Sequence, residues 1–89
     1  MAYEIVKVSV KNVFSPSESD IERVKLSDGT IETVPQVVNF IDRSFDYYFT
    51  SSNGHKTEVE TVHPSNSEPY IRTKANQTTS DNLLSLPRF

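Results

Sequence analysis

The sequence predicts an α+β domain: a mostly antiparallel five-stranded sheet in the order β-β-β-α-β-β, one amphipathic helix packed on one face, and a docked C-terminal tail. Three observations carry this. Ten of the 89 residues are Val, a side chain that fits a pleated surface better than a helix. Asp28-Gly29 separates two strand-like runs and suits the positive φ angles of a tight hairpin turn. Thr33-Val34-Pro35-Gln36 spells a capping box, with Pro in the first helical turn where amides lack intrahelical partners.

The first strand is read over Glu4 to Lys11, where Val6, Val8 and Val10 alternate with Lys7 and Ser9, the period of a strand with one wet face. Ser15 to Asp20 collects turn formers and reads as a connecting surface loop. Ile21 to Ser27 and Thr30 to Thr33 then form the hairpin, with Val24, Leu26 and Ile31 on its buried side. From the capping box the helix carries an apolar stripe of Val34, Val37, Val38, Ile41, Phe45 and Tyr48 at three-and-four spacing. Its expected stop is Asn53-Gly54, a pair able to adopt a left-handed cap. Phe40 and Tyr47 fall off the stripe and suggest a second buried edge, against the tail or another subunit.

Thr57 to His63 reads as the fourth strand. Val59 and Val62 differ in parity there, so either a bulge intervenes or both sides are partly covered. After the turn at Pro64 to Pro69, Tyr70 to Ala75 forms the fifth strand, with Ile71, Thr73 and Ala75 opposite in sense to Tyr70, Arg72 and Lys74. Asn76 to Asp81 reads as a polar loop, with Ser80 or Asp81 able to cap one helical turn before Pro87. Leu83, Leu86 and Phe89 recur every third residue, and each is worth roughly 1.5–3 kcal/mol if buried. They are expected to close the core.

Composition bounds the function. A chain of 89 residues makes a single domain spanning 1–89, burying only about 60–65% of the surface its unfolded form exposes. Leu, Ile, Val and Phe sum to 24 residues, enough for one core. The absence of cysteine removes disulfides, thiolate nucleophiles and Cys-type zinc sites. The N-terminal residues alternate like a strand and lack a secretion signal, and no apolar run approaches the roughly eighteen residues of a bilayer span, so a cytoplasmic protein without a membrane partner is expected. Asn76-Gln77-Thr78 matches a glycosylation acceptor that means little without secretion.

Net charge is −3, with the acidic excess in residues 1–68 and the mild cationic excess, Arg72, Lys74 and Arg88 against Asp81, in 69–89. The plain reading is a positive segment lying on a negative body; the sharper one is an anionic ligand. Tyr70, Arg72 and Lys74 share one strand face and form the best nucleic-acid constellation, an aromatic for stacking with cations for phosphates. Against it, Arg72 can pair with Glu58 or Glu60 on the neighbouring strand.

Enzyme chemistry has little to build on. His55 and His63 would lie well over 20 Å apart along one strand at about 3.3 Å per residue, too far for a shared metal. Glu58 and Glu60 share a face that could serve a cation or acid/base work, or simply be solvated. The two glycines are taken by turns, which leaves no phosphate loop. No catalytic residue, cofactor or metal is assigned. By elimination the leading reading is a non-catalytic protein-interaction module using Tyr47, Tyr48 and Phe49 at the helix end, or an unpaired sheet edge. Weak single-stranded nucleic-acid binding is the alternative, and homodimerisation would be another way to cover the aromatics.

Tyr70-Ile71-Arg72-Thr73, a turn-rich spacer, and Asp81-Asn82-Leu83 with Leu86-Pro87 and Phe89 together resemble the small bacterial family catalogued as domain of unknown function 3892. That family shows a Tyr-Ile-Arg-Thr/Ser strand and an Asn-Asn-Leu-x-x-Leu-Pro-x-Phe ending. Here Asn76-Gln77 stands where the family commonly has an Asp-Gly turn, and Asp81 replaces its first tail Asn. The helix region also looks longer and more aromatic than is typical. The resemblance implies a structural role for Asn82, Leu83, Leu86, Pro87 and Phe89, and no activity.

Overall fold

The computed structural model describes residues 2–11, 14, 17–50, 54–74 and 83–89. The strands are β1 (Ala2–Val10), β2 (Ile21–Leu26), β3 (Ile31–Thr33), β4 (Asp46–Thr50), β5 (Lys56–Val62) and β6 (Tyr70–Thr73). The helix α1 (Val34–Asp42) lies between β3 and β4, and among the described residues 3-10 turns span Glu18–Asp20 and Leu83–Ser85. The α+β class holds. The sheet, however, has six strands in the order β3-β2-β1-β4-β5-β6 and is mixed, where five antiparallel strands were expected. The extra strand is β4, which runs parallel to β1 because β3 and β1 share a direction and α1 carries the chain back before β4 starts.

The helix begins as the capping box requires. Thr33 Oγ1 accepts from the Gln36 amide at 3.3 Å, and Gln36 Oε1 accepts from the Thr33 amide at 2.9 Å. Val34, Val37 and Val38 are buried against the sheet. The helix ends at Asp42, well short of Tyr48 and of the Asn53-Gly54 stop, whose Asn53 lies outside the described residues. What ends it is a Schellman arrangement: the Phe45 amide donates to Phe40 O at 3.0 Å and the Ser44 amide to Ile41 O at 2.9 Å, with Ser44 at φ 75°. The apolar contact that accompanies this motif is the Phe40–Phe45 ring stack, with centroids 5.4 Å apart. Beyond it, Tyr47 and Phe49 alternate inward along β4.

A bulge resets β1. Ile5 pairs with Leu26 but Lys7 pairs with Lys25, so an extra residue, Val6, is accommodated and the side chains beyond it change face. The buried residues are therefore Ile5 and Val8, while Val6 and Val10, expected inside, are only half-buried. Across the hairpin Val24 and Leu26 are buried as expected, but Ile31 is exposed, because its partner Lys25 faces away from the helix. The turn itself forms at Asp28-Gly29, with Gly29 at φ 93° and Asp28 Oδ1 accepting from the Thr30 amide at 2.9 Å. Between β5 and β6 the register is unbroken, so Val59 and Val62 sit on opposite faces without a bulge.

The tail fills a gap. β4 accompanies β1 only as far as the Glu4–Tyr48 pair; further along, the Val8 amide donates to Pro87 O at 3.0 Å and Val8 O accepts from the Phe89 amide at 3.3 Å. Leu83 and Leu86 are buried in the core. Phe89 is not: its ring is 39% exposed and lies under the Arg23 guanidinium at 5.8 Å, on the surface away from α1. A three-element lock holds the start of the tail. Glu18 Oε2 accepts from the Thr73 amide at 2.6 Å and from its hydroxyl at 2.7 Å, while Thr73 Oγ1 accepts from the Leu83 amide at 3.0 Å. Glu18 belongs to the segment expected to be a mere connector. Asn82, Ala75 and the Asn76–Asp81 loop lie outside the described residues.

Candidate functional site

Directly opposed residues in a ladder share a face, so the registers assign every strand side chain. On the outer face of β5 and β6, Glu60 stands opposite Arg72 with Arg72 Nε 2.5 Å from Glu60 Oε2, and Lys74 Nζ lies 3.2 Å from Glu58 Oε2. The bond from Glu60 holds the guanidinium of Arg72 further above its already high ordinary value. Lys56 sits 4.3 Å over the Tyr48 ring, and Thr50 donates to Glu4 at 2.9 Å. The structure thus brings Tyr70, Arg72 and Lys74 together on one face, as read from sequence. It also supplies each of the two cations with its own carboxylate.

Tyr47, Tyr48 and Phe49 do not form one surface. Strand alternation splits them: Tyr47 and Phe49 are buried and Tyr48 faces out. The Tyr47 hydroxyl donates to Glu32 Oε1 at 2.7 Å, and burial first, then this carboxylate, pushes its phenol above the ordinary range. A cluster of aromatic rings sits instead where the helix ends, with one of them, Phe45, exposed. Phe45 is 42% exposed and stacks on Phe40 and, at 6.2 Å, on Tyr3; Tyr3 in turn tilts onto Tyr47 at 5.3 Å. Phe45 also lines an open cleft of about 380 Å³ with Asp42, Asp46 and Thr61.

The imidazoles do not converge. His63 Nε2 lies 3.0 Å from Asp42 Oδ2, and Asp42 Oδ1 accepts from Thr61 at 3.0 Å, which ties the end of α1 to β5. His55 is exposed at the start of β5. Among the described residues no group of three or more His, Cys, Asp or Glu is placed to hold a metal ion, and no helix is long and apolar enough to cross a membrane.

Sequence reasoning turned Lys7, Arg23 and Lys25 away from the buried side of their strands but did not bring them together as one surface. The Val6 bulge sets Lys7 opposite Lys25 and Ser9 opposite Arg23, so Lys7, Arg23 and Lys25 share the face turned away from α1. Among the described residues none of the three enters a salt bridge. The signal in the sequence, three cations in two strands, is legible only once the register is known.

With this geometry in place, the class is a small α+β domain with one helix on a mixed sheet. The family described as protein of unknown function (DUF3892) matches residues 4–87, and the chain belongs to it. No curated protein and no solved structure matches the chain.

Proposed function

We propose that this chain is a non-catalytic protein-interaction module whose contact is the aromatic corner of Tyr3, Phe40 and Phe45. One observation carries the reading: a phenylalanine 42% exposed is stacked on Phe40 and Tyr3 where the hydrogen-bonded turn closes the helix. Such a ring is pre-ordered, so a partner that covers it gains burial on the order of 1 kcal/mol with little ordering cost. The non-catalytic part is supported by the pairing of Glu58 and Glu60, the carboxylates that share a face, with cations of the neighbouring strand segment. The alternative, single-stranded nucleic acid at Tyr70, Arg72 and Lys74, has less to rest on, since two of its three residues already face carboxylates.

The test is quantitative capture from host extract with full-length wild type and Phe45→Ala as parallel baits. A partner enriched by wild type and depleted about tenfold with the variant, a loss of about 1.4 kcal/mol, supports the corner. Identical recoveries with both baits refute it, provided the variant's melting temperature shows that it is folded. Sedimentation of the wild type reports whether the partner is a second copy.

A further inference from the structure

Unlike charges placed across a sheet hold strands together, and like charges directly opposite push them apart. The Lys7–Lys25 pair does the second, with Arg23 two residues further along β2, and no carboxylate among the described residues answers it. The contrast with the outer face of β5 and β6, where Arg72 and Lys74 each meet an acid, is internal to one sheet. A chain of net charge −3 has acids enough to neutralise three cations, yet among the described residues no acid is paired with these.

We propose that the outer face of β1 and β2 binds an extended acidic segment of a partner protein, its alternate carboxylates meeting Lys25 and Arg23 while Lys7 contacts the same row from the neighbouring strand. This rests on the interaction reading but uses the opposite side of the sheet from Phe45. The chemistry of the occupant follows from spacing and surroundings. Lys25 and Arg23 repeat every second residue, about 6.7 Å along a strand, which is the repeat of same-side carboxylates on another extended chain. Acidic motifs are commonly read by such basic rows. The patch is edged by Ile31, 51% exposed, and by Phe89, apolar contacts that suit a peptide's intervening side chains. A nucleic acid would need open rings for stacking, and the ring here, Phe89, already has the Arg23 guanidinium over it. Ser9 and Thr33, opposite Arg23 on either side, offer hydroxyls to peptide carbonyls. Glu22, exposed beside Arg23, sets a limit, since it disfavours a carboxylate beyond that end of the row.

The probe is a fluorescein-labelled twelve-residue peptide of Glu and Leu, about three to one, titrated with the full chain at low salt. Binding is expected, weakened about tenfold or more by Lys7→Glu and by Lys25→Glu, and unchanged by Phe45→Ala. Lys7→Glu turns a repulsive cross-strand pair into an attractive one, so its melting temperature is expected to rise as its affinity falls, which separates lost binding from lost folding. The proposal is overturned if the peptide does not bind at low salt, or if Lys7→Glu binds as wild type does. It is also overturned if a twelve-nucleotide single strand, or vesicles of phosphatidylserine, bind the same face about tenfold more tightly than the peptide. Failure at Phe45 with success here would leave this surface standing and refute the corner alone.

Discussion

Asp42 shows how one side chain can offset its own poor position. A carboxylate on the last turn of a helix faces the negative end of the helix dipole, and here the imidazole of His63 and the hydroxyl of Thr61 answer it. The bond from His63 first, opposed by partial burial and aided by Thr61, holds the carboxyl below the ordinary carboxylate range. A depressed folded pKa means that the ionised form is favoured by folding. The contribution is therefore fully present above the unfolded value, about 3.9, and is lost as pH falls through the lower folded value. An NMR titration should place the Asp42 midpoint below that of an unstructured Asp, and His63→Ala should move it up by more than Thr61→Val does. An Asp42 midpoint indifferent to His63 would show the pair to be geometric only.

At the scale of elements, the turn after α1 decides the topology. The Schellman end needs a left-handed residue, normally Gly, and this chain supplies Ser44 at φ 75°, a conformation that costs an L residue roughly 1 kcal/mol or more. Ser44→Gly is expected to raise stability by up to about 1 kcal/mol, part of the relief being returned through the freer unfolded chain; Ser44→Val should lower it. Urea midpoints measure both, and a Gly variant less stable than wild type would contradict the strain. The same residue explains why β4 was not legible. Phe45 and Tyr48 continue the helical stripe of Val37, Val38 and Ile41, and Tyr47 and Phe49 equally fit a strand, so the segment satisfies two periods at once and no glycine marks the break. By contrast, the capping box at Thr33, the hairpin at Asp28-Gly29 and the pairing of Arg72 with a strand-five glutamate were legible because each is set by neighbours in sequence or by simple alternation. The Val6 bulge was not, and with it went the direct facing of Lys7 by Lys25, since the bulge shifts the β1–β2 register by one residue. Glu18 was invisible for another reason: its partner, Thr73, is 55 positions away.

For the molecule as a whole, the tail is the strap across a sheet that would otherwise be split. β1 belongs to the β3-β2-β1 hairpin layer along its length and to β4 only at its start, so past Glu4 the two halves are joined by what lies between them. That is the segment from Leu83 to Phe89, bonded to Val8 on one side and, through Thr73 and Glu18, to β6 and the loop before β2. Removing it exposes the sites of Leu83 and Leu86, roughly 1.5–3 kcal/mol each, leaves the Val8 amide and carbonyl without partners, and strips Thr73 of an acceptor role. Against a total stability of about 0.05–0.15 kcal/mol per residue, such a loss is most of what the domain has. A chain ending at Asn82 is expected to be largely unfolded at 25 °C, read as collapsed amide dispersion in an NMR spectrum. Leu83→Ala alone should cost about 2–5 kcal/mol, while Phe89→Ala, on an exposed ring, should stay within about 1 kcal/mol of wild type. A truncated chain with native dispersion and an unchanged urea midpoint would mean that the two halves of the sheet hold together without their strap.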